Sequence, residues 1–214
     1  MSRIDPDGGS TETQCTNSAG EVILDDGIDN GIIYRLSDDY FKASIGSDIM
    51  DFSTKIFDDG KWLGTPNEFV GFIVQQMGFI DNLNSNSLNI DRTPKRGGDF
   101  RFQISPLGTR NDFELVKFKD GEIPFSMSID SGVTLRSIYN IRSALEHERR
   151  HIDQGFLGNF DFGTESFKLN RESVAYRRQI RGKWFPFSIE SFQKGTRATL
   201  KDFTNQYWKI HFPN

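Results

Sequence analysis

Between positions 138 and 152 the apolar residues Ile138, Ile141, Leu145 and Ile152 recur at spacings of three, four and seven, the pattern of a helix with one buried stripe. The stripe has a missing member at position 148, where a glutamate stands in place of an apolar residue. His147, His151 and the small Ala144 line one border of the stripe. On a helix turning about 100° per residue, positions 147 and 151 fall nearly one above the other, so both imidazoles can reach a single metal ion without bending the backbone. Asn140, Ser143, Glu146, Arg150 and Asp153 take other positions around the wheel, most of them on its far side. A carboxylate on a core-facing position breaks the local rule, and such breaks concentrate at functional sites.

The string His147-Glu148-x-x-His151 also arises by chance on solvated helices, where Glu, Arg and His are ordinary surface residues. Yet the chain has three histidines in all, and two of them flank this glutamate. With the interrupted stripe added, the balance favours a metal site over a plain surface helix.

The 214 residues suffice for one domain with a sizeable core, and 20 phenylalanines imply an aromatic interior. An aromatic content of 13% argues against general disorder. No apolar run approaches the ~20 residues that span a bilayer, so no membrane span is expected. The start, Met1-Ser2-Arg3-Ile4-Asp5, lacks the apolar stretch of a signal peptide, which reads as cytoplasmic synthesis. Cys15 is the lone cysteine, which excludes an internal disulfide and a cysteine-based metal site. Residues 1–60 hold thirteen Asp and Glu against four Lys and Arg, a balance of −9 that leaves +5 for the remainder. Arg171, Arg177, Arg178, Arg181 and Lys183 carry much of that excess, but no zinc finger, RNP-like motif or dense basic tract accompanies them, so no nucleic-acid partner is expected.

Residues 1–20, rich in Gly, Ser, Thr and Asn, read as a flexible linker; residues 21–214 read as a single domain, with an acidic β-rich lead over 21–64 and a core over 65–214. Residues 31–36 form the clearest early strand, after the turn at Asp29-Asn30-Gly31. Thr65, Pro66 and Glu68 predict a helix start with an N-cap, a proline at the first helical position and a capping box; the apolar residues that follow make that helix core. Residues 82–98 read as an exposed loop. Strands are expected at 100–104, at 113–118 and at 123–129, and Pro124 puts the last of these at a sheet edge. Residues 156–164 read as a loop, and Asn170 as the cap of a helix over 171–180 on which Glu172 faces inward beside Leu169, Tyr176 and Ile180. Residues 188–210 look helical with a break near Gly195, and Tyr207, Trp208 and Phe212 are expected to pack down as a C-terminal closure.

An edge strand just before the helix of His147 and His151 resembles the layout of zincin peptidases, whose substrate lies extended beside that strand. The metzincin continuation needs Gly and His where this chain has Gln154 and Leu157, so that branch is excluded. The runs Glu146-His147-Glu148-Arg149-Arg150-His151-Ile152-Asp153-Gln154 and Arg171-Glu172-Ser173-Val174-Ala175-Tyr176-Arg177-Arg178-Gln179 resemble the gluzincin-type metallopeptidase domains attached to bacterial polymorphic toxins, over residues 123–181. Ile4-Asp5-Pro6-Asp7-Gly8, a turn sequence in its own right, is similar to the boundary after which the toxic tip of Rhs-type proteins begins.

The resemblance implies an α+β, zincin-like fold: a small mixed or antiparallel sheet, an edge strand beside the His147–His151 helix, and a mostly helical C-terminal part. It implies Zn2+ on His147, His151 and a downstream acid, with Glu172 preferred by spacing and context and Glu165, Asp161, Asp153 and His211 as rivals. Glu148 would serve as general base toward a metal-activated water, with Tyr139, Tyr176 or a nearby arginine as oxyanion partner. The implied activity is peptide-bond hydrolysis by an effector domain, exported as the tip of a larger protein, with a protein or peptide substrate and a cognate immunity protein as partners. A zinc amide hydrolase without toxicity, and a non-enzymatic interaction domain with an incidental motif, are the alternatives. One departure stands out: gluzincins commonly carry an acid four residues after the glutamate ligand, where this chain has Tyr176, so the histidines need another orienting partner.

Overall fold

The computed structural model describes residues 13–26, 30–40, 49–80, 88–89, 101–104, 111–114, 117–118, 126–129, 133–156 and 164–213. The fold is α+β. Strands β1 (Gln14–Thr16), β2 (Val22–Asp25), β3 (Ile33–Leu36), β4 (Ser53–Asp58) and β5 (Lys61–Trp62) make a mixed sheet in the order β2-β1-β3-β4-β5. Only β1 and β3 run parallel; the other pairs are antiparallel. The helix α1 (Pro66–Met77) follows. Short strands β6 (Leu88–Asn89), β7 (Arg101–Ile104), β8 (Asn111–Glu114), β9 (Lys117–Phe118) and β10 (Ser126–Ile129) then form a β10-β8-β7 sheet and a β6-β9 pair. Three helices close the chain: α2 (Ile138–Phe156), α3 (Glu165–Arg181) and α4 (Glu190–His211), with α3 packed against both α2 and α4.

Strand β1 corrects the linker reading of residues 1–20. Thr13, Gln14, Cys15 and Thr16 are buried in the middle of the sheet, and residues 1–12 lie outside the described residues. Cys15 packs with Leu36, ringed by Leu24, Tyr34, Tyr40 and Phe52. Burial, with the charge of Asp26 beside it, pushes the Cys15 thiol up to about 11. An ordinary cysteine ionises near pH 8.5. The folded state therefore holds the proton that the unfolded chain releases. This group's contribution to stability is complete below pH ~8.5 and is lost as pH climbs toward 11. At pH 8 the native protein is expected to react with an aromatic disulfide reagent about a hundredfold slower than the urea-unfolded chain. Equal rates would contradict this placement of β1.

The β4–β5 turn is Asp59-Gly60, with φ of 47° and 71°, the left-handed pair that a two-residue hairpin of matching twist requires. Gly31, at φ 72°, abuts it so closely that a Cβ would meet Gly60 N at 2.6 Å. Helix α1 starts as expected: Thr65 accepts from Glu68 N, and Glu68 accepts from Thr65 N at 2.7 Å. Its inner face carries Phe69, Phe72 and Ile73, all at most 1% exposed. Phe57 and Trp62 of the sheet meet the Phe69 and Phe72 rings edge-on or tilted, at 5.4–6.2 Å between centroids, and each other at 5.0 Å.

The expected strand over 113–118 is two pieces, since β8 and β9 belong to different sheets. Among the described residues β10 pairs with β8 and with no other strand, which puts it at an edge of that sheet, while Pro124 lies outside them. The loop expected over 82–98 lies outside them too, apart from β6.

Helix α2 is the member that joins the two halves of the chain. Ser137 caps it, accepting from Tyr139 N at 3.1 Å, and Gln14 of β1 reaches across to accept from Ile138 N at 2.7 Å. Ile138, Ile141 and Leu145 are fully buried, as the stripe predicts. Part of the far side is covered as well. Asn140, Ser143 and Glu146 are buried because the α3–α4 connection lies over them. Asn140 Oδ1 accepts from Ile189 N at 3.0 Å and Glu146 Oε1 from Lys183 N at 3.1 Å. A Cβ at Gly182 would overlap the Glu146 carboxylate, so a larger residue there would have to displace that side chain from its bond to Lys183 N.

Helix α3 begins at Thr164 rather than Asn170, which is an exposed residue inside it. Helix α4 runs unbroken through Gly195, where an added Cβ would meet nothing within 4 Å. The C-terminal closure is not formed. Trp208 is 52% exposed and Phe212 65%, tilted against one another at 4.9 Å, because α4 projects its last turns into solvent. No described helix is long and apolar enough to cross a membrane.

Candidate metal centre

Two helices meet where the sequence analysis places its histidines. His147 and His151 rise one turn apart on α2, 8% and 7% exposed, with their Nε2 atoms 3.0 Å from each other. Glu172, from the second turn of α3, straddles them: Oε2 lies 3.3 Å from His147 Nε2, and Oε1 lies 3.3 Å from His151 Nε2. Among the described residues this is the group of three such side chains that could hold a metal ion. Tetrahedral sites with metal–ligand bonds of about 2.0–2.1 Å keep their donors about 3.3 Å apart, and the observed separations fall on or just inside that value.

The outer nitrogens support the same reading. His151 Nδ1 stands 2.9 Å from Gln154 Oε1, and Gln154 Nε2 donates to Arg171 O at 3.3 Å. Since the Gln154 amide nitrogen is committed to Arg171, its oxygen accepts from His151 Nδ1–H, which turns Nε2 toward His147 and Glu172, where an ion would be held. Gln154 thus takes the orienting role left open by Tyr176. It was missed in the sequence because it is read there only as a departure from another motif; its place one turn beyond His151 was the available signal. His147 Nδ1 is buried with no hydrogen-bond partner among the described residues. Its ring is held by Tyr176, edge-on at 4.3 Å, and Phe203 of α4 stacks behind Tyr176 at 5.7 Å.

Charge is balanced within the cluster. Burial alone would raise the Glu172 carboxyl, but the bonds to His147 and His151 and their charge outweigh it and hold it well below the usual carboxylate range. For His151 burial favours the neutral ring, yet Glu172, Glu148 and Gln154 together raise its pKa. Glu148 is half-buried and lines a cleft of about 290 Å3 together with His147. Burial pushes its carboxyl up, opposed by the two imidazoles and reinforced by Glu172, and the net shift is upward. The gap in the apolar stripe is therefore where the helix opens onto a cleft. Tyr176 lines the same cleft; burial, then the charges of Glu172 and Glu148, push its phenol up to about 12, so it remains a hydrogen-bond donor at neutral pH.

The other sequence candidates fall elsewhere. His211 lies on the exposed end of α4 against Ser166 Oγ, at 2.5 Å, and Glu165 is exposed at the start of α3. Tyr139 stacks on Trp184 at 6.0 Å and tilts against Phe187, outside the cleft lining. Asp161 and the side chain of Asp153 lie outside the described residues. No family model, curated protein or solved structure matches this chain.

Proposed function

We propose that this chain is a zinc-dependent peptidase of the gluzincin type, with His147, His151 and Glu172 as the metal ligands and Glu148 as the general base. The observation that carries the reading is the convergence of two imidazole Nε2 atoms and one carboxylate to within 3.0–3.3 Å, from two helices, beside a second carboxylate that faces a cleft. Two imidazoles and a carboxylate are the donor set of hydrolytic zinc sites, which keep a position open for water. Zinc held there would supply Lewis acidity toward a water molecule and toward the scissile carbonyl.

The chain's own groups account for the remaining steps. Glu148 takes the proton of the attacking water and returns it to the leaving amine nitrogen, a role that a raised carboxyl pKa suits. Tyr176 is the donor available to the carbonyl oxygen as charge develops on it. Gln154 holds His151 in the metal-binding tautomer. In this reading an extended substrate would add its main chain along β10, which lies at the edge of its sheet among the described residues. In the same reading the domain is an effector: the sequence at Ile4–Gly8 marks the boundary of the parent protein, and a cognate immunity protein is its partner.

The test is direct. Zinc-loaded protein is incubated with a proteome-derived peptide mixture, and new termini are read by mass spectrometry. Cleavage should appear, stop on addition of a strong chelator and return with added zinc. Absence of new termini, or cleavage indifferent to the chelator, would contradict the proposal. Growth arrest on expression, relieved by a neighbouring gene product, tests the effector role separately.

A further inference from the structure

The cleft beside Glu148 has a second wall that the proposed chemistry does not use. Helix α4 contributes Ser191, Phe192, Gly195, Thr196 and Thr199 to it, and the one-turn helix Val133–Arg136 ahead of α2 contributes Val133 and Thr134. Positions 191, 195 and 199 are four apart, so they share one face of α4, and that face borders the cleft. Gly195 stands in the middle of it, exposed and without a side chain. Its backbone is helical, and an added Cβ would meet nothing within 4 Å, so neither an unusual φ nor a close approach calls for glycine there. Inside a helix glycine is destabilising relative to alanine, so helix formation does not explain it either. What the missing side chain leaves is room in the cleft. Gly71 of α1 is equally open but does not line the cleft, and it serves below as the control.

The lining decides what that room takes. Its ionisable members among the described residues are His147, Glu148 and Tyr176, all parts of the metal centre. The wall facing α4 and residues 133–134 carries no formal charge, so a charged side chain entering there would lose its water without meeting an opposite charge. Val133, 40% exposed, supplies accessible apolar surface, with Ala144 and Phe192 beside it. Thr199 donates its hydroxyl to Gly195 O at 3.0 Å, so that donor is spent within α4. At about 290 Å3 the cleft is at the small end for a ligand site, which suits one side chain held beside the scissile bond. We propose, resting on the peptidase reading, that this cleft takes a bulky, uncharged apolar side chain of the substrate next to the scissile bond, and that Gly195 sets its size limit.

The experiment profiles a degenerate peptide library with the zinc-loaded full chain, then measures kcat/KM on a matched pair of peptides with leucine or alanine at the selected position. The wild type should favour leucine, methionine and phenylalanine at one of the two positions flanking the cleaved bond, and disfavour Asp, Glu, Lys and Arg there at least tenfold. Gly195→Leu should lower the leucine-to-alanine ratio of kcat/KM at least tenfold with zinc content unchanged, whereas Gly71→Leu should leave that ratio as it is. A merely structural role for Gly195 would slow both peptides alike. Should Gly195→Leu fail to fold, Gly195→Ala should lower the same ratio at least twofold. No cleavage of any library member by the wild type overturns the peptidase reading and the proposal with it. Cleavage without the apolar preference, a ratio unmoved by the Gly195 variant, or a ratio moved as far by Gly71→Leu overturns the proposal and leaves the peptidase reading standing.

Discussion

Glu148→Gln is expected to leave the fold and the metal content unchanged and to lower peptide hydrolysis by roughly a thousandfold, within the range a general base contributes. Glutamine has the same shape and hydrogen-bonding reach but cannot take the proton of the attacking water. The substitution also makes a sign prediction about stability. Burial penalises the Glu148 charge, and only part of that penalty is returned by His147 and His151, so the carboxyl pKa is raised in the folded state. A neutral amide at the same place escapes the penalty, and thermal stability should hold or rise slightly while activity falls. The measurement pairs initial rates on a cleaved peptide with a melting curve and a zinc determination. A Glu148→Gln variant that cleaves at the wild-type rate would end the assignment of Glu148 as base.

The largest expected effect on stability lies away from the centre, at Arg142. This side chain is 3% exposed. It donates from Nε to Gln76 Oε1 at 2.9 Å and from Nη2 to Gly20 O at 2.8 Å. Its guanidinium lies over Phe79 at 3.9 Å and over Trp184 at 4.5 Å. One residue of α2 thereby ties together α1, the β1–β2 turn and the α3–α4 connection. Burial lowers its pKa to about 10, which leaves it a cation at neutral pH, compensated by carbonyl oxygens and ring faces. Truncation to alanine strands Gln76 Oε1 and opens a void between two aromatic rings. Arg142→Ala should cost about 3–5 kcal/mol in urea unfolding, a large share of a typical domain's stability. Arg142→Met, which keeps volume, should cost less. A loss under about 1 kcal/mol for Arg142→Ala would contradict the role of Arg142 as the tie between these elements.

What could be read from the sequence, and what could not, follows the range of the interactions concerned. The α1 cap depends on Thr65, Pro66 and Glu68, all within four residues, and it is found as expected. The pairing of His147 with His151 is equally local, one turn of one helix. Glu172 was accessible because an acid on an inward helical face is itself an anomaly, although the helix carrying it begins six residues earlier than Asn170 suggests. Strand β1 was hidden because three residues with Gln14 and Thr16 at their ends carry no hydrophobic pattern, and its burial comes from partners up to 124 residues away. The buried far side of α2 depends on Lys183 and Ile189 reaching over it, which no helical wheel contains. Gly195 suggests a break by its own propensity, but the flanking turns of α4 carry the helix through it.

The most direct measurement is the zinc content and coordination of the purified full chain, by elemental analysis and X-ray absorption, for the wild type and for His147→Ala, His151→Ala and Glu172→Ala. The account predicts one zinc per chain in the wild type, a first shell of nitrogen and oxygen with the signature of two imidazoles, loss of the metal in either histidine variant, and affinity weakened at least a hundredfold in Glu172→Ala. A wild-type chain that takes up no zinc, or a His147→Ala/His151→Ala double variant that keeps it undiminished, would contradict the account.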